Sequence, residues 1–219
     1  MNSVYFVNMV YETPGDRRRE RRRQARIDEL LDEGIQLVAE EGLDALTVAR
    51  LAARMDWTKG AMYRYFRGKD ELVASLNARV LDRWNTAAEQ AVQGIEVPLA
   101  RVEALAETLI RMSALEPQCF GMIALTMADP RNLVADPRDA VHIPQMMALL
   151  EQVTVAIEQA QAAGALTPDD PLARALRLVF SLIGVLQLRK LERFGRETFS
   201  AERHARAVLR DHLSAWSPR

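Results

Sequence analysis

The sequence predicts an all-α protein of about nine helices. Three observations carry that expectation. Apolar residues recur at i, i+3, i+4 and i+7 in segment after segment. No stretch alternates apolar and polar residues as a half-buried strand would, and no internal repeat is present. Gly and Pro stand mainly where the periodic segments begin or end, as at Gly42, Gly68, Pro98, Pro117, Gly164 and Pro171.

Taken in order, residues 1–16 have no helical period and contain Thr13-Pro14-Gly15. Residues 1–23 are expected to form a disordered basic arm, with six Arg against Glu20 from Arg17 to Arg23. Such a run is either a solvated extension or an arm laid on a nucleic-acid backbone. The first helix is predicted from Gln24 to Glu41, with Ile27, Leu31, Ile35 and Val38 inward and Gly42 as its stop. Thr47 caps a second helix whose buried face is Val48, Leu51, Ala52 and Met55. Asp56-Trp57 breaks that pattern, and Thr58 caps a third helix. Its inward residues are Met62, Tyr65 and Phe66, and its outward ones Lys59, Gly60, Tyr63 and Arg64. Two amphipathic helices joined by so short a turn form a helix-turn-helix, whose second helix can enter a DNA major groove. Residues 50–69 carry a net charge of +5.

At these residues a resemblance enters. Thr47-Val48-x-x-Leu51-Ala52, a turn, and then T-K-G-A-M-Y-R-Y-F-x-x-K-D-E-L from Thr58 is similar to the DNA-binding half of the TetR (tetracycline-repressor) family of bacterial regulators. The similarity covers Arg26 to Leu76. Family members usually carry Gly-Val in the turn, where this chain has Asp56-Trp57. Asp tolerates the left-handed conformation such a turn needs. The resemblance implies DNA contacts position by position: Thr47 and Lys69 to phosphates, and Thr58, Lys59, Gly60, Tyr63 and Arg64 on the groove side. Tyr63 and Tyr65 can offer hydroxyls to phosphates. Lys59 and Arg64 suit base edges, since both residue types donate to guanine O6 and N7.

The remaining helices follow. Lys69 opens a fourth helix to about Gln93, with Leu72, Leu76, Val80, Trp84 and Ala87 inward. The only plausible seam is Gln93 to Pro98. Further helices are predicted from Pro98 to Glu116, from Cys119 to Ala128, from Pro144 to Ala163, from Pro171 to about Phe194, and from Ser200 to the C-terminus. The segment between Leu176 and Leu188 is apolar nearly all round and must be covered on more than one side. Residues 129–143 read as a long connecting loop. The domain division is a basic arm over 1–23, a DNA-binding domain over 24–68 and a helical regulatory and dimerisation domain over 69–219.

Composition sets the outer bounds. The 219 residues are 49% hydrophobic and 27% charged with a formal net charge of −1, an ordinary soluble composition with no global pull toward nucleic acid. The charge is instead patterned: residues 27–44 hold seven acids and no base, and are expected to face away from phosphates. The single cysteine, Cys119, excludes an internal disulfide and suits a reducing cytoplasm. No run is expected to span a membrane. Three histidines form no metal-ligand spacing, and no nucleophile-elbow or phosphate-loop motif is present, so neither an enzyme nor a metal or cofactor site is expected.

The resemblance also implies a small-molecule pocket and a homodimer. Five of the nine methionines fall between 112 and 147. Candidate pocket residues are Leu109, Met112, Phe120, Ile123, Met127, Met146, Phe180 and Gln187, and their scarcity of polar groups points to an apolar or aromatic effector. Dimerisation is expected through the last two long helices, where Gly184 would permit close approach. The partners implied are a palindromic double-stranded operator, an effector and a second copy of the chain. The expected activity is ligand-relieved repression, the alternatives being a constitutive DNA-binding protein or a helical enzyme.

Overall fold

The structure, a computed structural model, describes residues 14–128 and 142–218. Among them there are nine α-helices and no strand. The first three, α1 (Pro14–Glu41), α2 (Val48–Arg54) and α3 (Lys59–Met62), make the N-terminal bundle. The rest are α4 (Lys69–Val92), α5 (Pro98–Leu115), α6 (Pro117–Ala128), α7 (Ile143–Ala162), α8 (Pro171–Leu186) and α9 (Ala201–Trp216). Helix α4 ties the two parts together, packing on α1 at one end and on α5 and α7 along the rest. Its inward stripe, Leu72, Leu76, Val80, Trp84 and Ala88, is continuous with the cores of both parts.

Capping sets most of the boundaries. Thr47 accepts from the Arg50 backbone N–H, Thr58 from Ala61, Asp170 from Leu172 and Ala173, and Ser200 from Arg203. Each such cap stabilises its helix by about 1 kcal/mol. Gly42 and Gly164 leave their helices at φ 85° and 71°, conformations in which a side chain is strained.

Three expectations change here. Residues 14–23, expected as part of a disordered arm, continue α1. Arg is a good helix former and Asp16 sits in the first turn, so propensity extends the helix beyond its buried stripe. Residues 1–13 and most of the loop over 129–143 lie outside the described residues. The eighth helix stops at Leu186 and continues to Phe194 as 3-10 turns. The stretch Pro171–Phe194 is also long and apolar enough to cross a membrane by length and composition, contrary to the expectation that no run was. It packs against α7 and α9, and its buried Arg174 is held by Asp169, the Thr167 carbonyl and the face of Trp216. Those contacts bury one side of the segment and leave the other exposed.

Candidate functional site

The turn between α2 and α3 is built on two residues. Asp56 adopts φ 53°, the left-handed conformation expected of it. The Trp57 backbone N–H then closes onto the Ala52 carbonyl at 2.8 Å. The Trp57 ring lies 5.5 Å from the Tyr65 ring, with the Arg26 guanidinium 5.7 Å above it. This residue, larger than the family's, therefore fastens α1, the turn and the end of α3 together. Tyr65 is half-buried in that contact, which makes it as much a packing residue as an outward one.

Beneath α3, Met62 and Phe66 are buried. On the other side of α3 and of the turn that follows it, Lys59, Gly60, Tyr63 and Arg64 are exposed, Tyr63 at 56%. A Cβ built on Gly60 would meet nothing nearer than the Thr58 Oγ1 at 4.0 Å. The protein's own packing therefore does not require glycine there.

The +5 charge is not all available. Arg50 pairs with Glu41, Arg54 with Glu33 and Glu40, and Arg67 with Glu71. The carboxylates of Glu40 and Glu33 hold the Arg54 guanidinium still further above its ordinary pKa. The acidic run of α1, expected only to face away from phosphates, thus anchors α2. Lys59, Arg64 and Lys69 have no ion-pair partner among the described residues. At the start of α4, Gly68 provides no side-chain cap; Glu71 instead accepts the Arg67 backbone N–H at 2.6 Å, and Lys69 stands exposed beside it. The motif thus places Thr47 and Thr58 at the caps of α2 and α3, Lys59 and Gly60 in α3, Tyr63 and Arg64 in the turn just beyond it, and Lys69 at the start of α4.

The second candidate site is a cavity between α4, α5, α7 and α8. It is lined by Trp84, Ala88, Leu105, Leu109, Met112, Val153, Leu178 and Leu182, among others, and has a volume of ≈ 20 Å³, enough for about one water. Of the eight residues expected to line a pocket, Leu109 and Met112 do so. Ile123 is buried in the core instead; Phe120 is buried too, stacked on Trp84 at 6.3 Å, and lines the same separate cleft as Gln187. Met127 and Met146 pack on the core edge. Phe180 is 50% exposed on the outer side of α8. Gln187 borders a cleft of ≈ 410 Å³ between the N-terminal bundle and the 3-10 segment, alongside Asp44, Gln118 and Arg189. Periodicity gave the helical positions of these residues but not the rotation of each helix about its axis. Cys119 is buried, and burial, assisted by Glu116, pushes its thiol up to about 11, so it is no ready thiolate at neutral pH. Among the described residues no group of His, Cys, Asp and Glu could hold a metal ion.

Residues 30–76 match the family model of bacterial regulatory proteins, tetR family. No curated protein matches the sequence. Several solved structures share the fold. One is a protein of unknown function from Rhodococcus sp. RHA1, at TM-score 0.69 and 19% identity over 86% of this chain and 94% of that one. Another is SmeT, the repressor of the Stenotrophomonas maltophilia multidrug efflux pump SmeDEF, at 0.60 and 21% over 87% and 90%. A third is the transcriptional regulator FadR from Bacillus subtilis in complex with stearoyl-CoA, at 0.65 and 13% over 86% and 98%.

Proposed function

We propose that this chain, a DNA-binding transcriptional regulator of the tetR family, works as a homodimeric repressor released from a palindromic operator by a small molecule. The observation that carries the DNA half is the outward patch of α3. Lys59 and Arg64 are uncommitted there, while Arg50, Arg54 and Arg67 are each neutralised by a carboxylate. Lys59 and Arg64 read bases; Tyr63 and the hydroxyls of Thr47 and Thr58 bind phosphates, each hydroxyl keeping its proton to donate while it caps a helix. Gly60, which the fold does not need, lets the groove edge approach the backbone. Lys69, with the N-terminus of α4 behind it, takes a further phosphate.

The dimer half is supported by α8. Leu172, Leu176 and Phe180 are exposed in the single chain, and Gly184 has nothing within 4 Å of a built Cβ. This is the uncovered side that a nearly all-round apolar segment requires to be buried. The effector half is supported by the apolar cavity against α4, the helix that reaches from that cavity to the DNA-binding bundle. At ≈ 20 Å³ it must open to hold a ligand, and an effector that prefers the opened state shifts the population away from the operator-binding one. SmeT and FadR, by their names a repressor and a regulator seen with stearoyl-CoA, make such a response a reasonable one for this fold.

The test begins with selection of an operator from random DNA, followed by fluorescence anisotropy of that operator with added compounds. Two-fold symmetric sites with half-sites about one helical turn apart, released by a bound compound, are expected. Tight operator binding that no bound compound alters would leave a constitutive DNA-binding protein in place of the repressor reading.

A further inference from the structure

We propose that the effector is an amphipathic molecule with a hydrogen-bond-donating head, a hydroxyl or an ammonium group, held by Gln152 in the cleft between α4, α5 and α7. The proposal rests on the effector reading above and adds a polar head to the apolar or aromatic ligand expected from the sequence.

Polar groups interrupt the buried seam between α4 and α7. Asn85 is buried among the core residues of α4. Its Nδ2 donates to the Gln145 carbonyl at 2.8 Å, and its Oδ1 accepts from Gln152 Nε2 at 2.9 Å. That leaves Gln152 Oε1 buried without a partner, and Gln145 Oε1, two turns away on α7, is buried and unpartnered as well. Both unmet atoms are acceptors. A buried acceptor without a donor destabilises the fold, so two in one seam call for a donor from outside it.

The space beside them fits an elongated molecule. Gln152 borders an open cleft of ≈ 470 Å³, together with Leu105 of α5 and Ala156 of α7. Leu105 also lines the small apolar cavity beyond, so its side chain is the partition between the two spaces. In the opened state that joins them, with Leu105 turned aside, an apolar tail lies against Trp84, Leu109 and Met112, and Gln152 Oε1, covered in the closed state, is uncovered to the head. The rim selects the charge of that head. Arg101 is engaged by the Ile95 carbonyl at 2.6 Å and by Gln159 at 2.8 Å. Glu89 and Glu151 have no ion-pair partner among the described residues and border the same cleft. Arg101 keeps its charge in its hydrogen bonds, so the rim sets two carboxylates against one guanidinium, a net −1 that favours a neutral or cationic donor over a carboxylate head.

Four probes of one shape test this by calorimetric titration of the full chain: naphthalene, 1-naphthalenemethanol, 1-naphthylmethylamine and 1-naphthoate. The alcohol and the amine should bind about two- to tenfold tighter than the other two, the factor expected of one ordinary hydrogen bond. Gln152→Met should erase that preference, and Gln152→Glu, which keeps an acceptor, should retain it and favour the amine. Gln145→Met, which breaks no bond, should leave the melting temperature of the free protein unchanged or raised. Equal binding of naphthalene or naphthoate, an unchanged preference in Gln152→Met, or no binding by any probe overturns the proposal. If naphthalene alone binds and frees the operator, the effector reading stands and the donor head falls. If the alcohol and amine bind through Gln152 while the operator stays bound, the site stands and its role as effector site falls.

Discussion

Two faces of this molecule are left open, the outward side of α3 and the outward side of α8, and they are opposites. The α3 face is Lys59, Gly60, Tyr63 and Arg64, the α8 face Leu172, Leu176 and Phe180. The first is solvated at little cost while it waits for a polyanion. The second is apolar surface that water disfavours at about 25 cal/mol per Å². An open polar face is thus compatible with a free protein and a reversible partner, whereas an open apolar one fits the lasting partner proposed for it. The same contrast sets which mutations are informative. Residues of the polar face change binding and leave the fold alone; on α8 the choice of position decides everything, because Leu186 is fully buried while Phe180, six residues earlier, is half-exposed.

The largest expected effect breaks the apolar face. Phe180→Arg should halve the mass seen by light scattering and lower operator affinity by about 10² to 10⁴, the gain that linking two binding modules provides. Circular dichroism should remain helical. A dimeric Phe180→Arg protein would move the interface off α8. Leu186→Arg would instead unfold the chain and say nothing about association.

The polar face should respond less. Lys59→Ala and Arg64→Ala are each expected to weaken operator binding by about 1–3 kcal/mol and to relax preference at one base step. Arg50→Ala, whose charge is already taken by Glu41, should relax no base preference. Comparing the selected sequences of the three variants separates readout from anchoring, and relaxed readout in Arg50→Ala would erase the distinction between paired and free cations.

Smaller still is the contribution of the N-terminal extension. Deleting residues 1–23 should weaken binding to all sequences alike. For every phosphate that the deletion frees, the slope of log K against log salt should shrink by about 0.9. An unchanged slope would show that the exposed arginines from Arg17 to Arg23 do not reach DNA.

The least effect concerns His212, which sits at the α8–α9 seam within 3.2 Å of Ser181 Oγ and beside Trp216. Burial lowers its pKa, Arg177 lowers it further, and Asp211 opposes the shift. The folded state thus prefers the neutral ring. Stability is full above the ordinary histidine value of about 6.5 and declines as pH falls through that value toward the lower folded one. Urea midpoints should therefore fall between about pH 7 and 5, and less so in His212→Gln. Equal declines in both proteins would assign the pH dependence to other groups.

Much of this was legible in the sequence, and the legible part is local. Helix type follows from the period of apolar residues, and the boundaries at Thr47, Thr58, Asp170 and Ser200 follow from side chains that bond the next turn. The left-handed turn at Asp56 and the outward patch of α3 depend on residues within about one turn of each other. Helix rotation and pairing were not legible. Six of the eight candidate pocket residues do not line the cavity, because which flank of an apolar helix meets a neighbour depends on residues far away in the chain. The pairing of Arg54 with Glu33 and Glu40, and of Asn85 with Gln152, joins positions 14 to 67 residues apart. Sequence alone thus determined an all-α chain with a DNA-binding motif, since periodicity and capping are short-range. Only the tertiary structure decided which cations remain available and which buried oxygens lack a donor, since both depend on long-range packing.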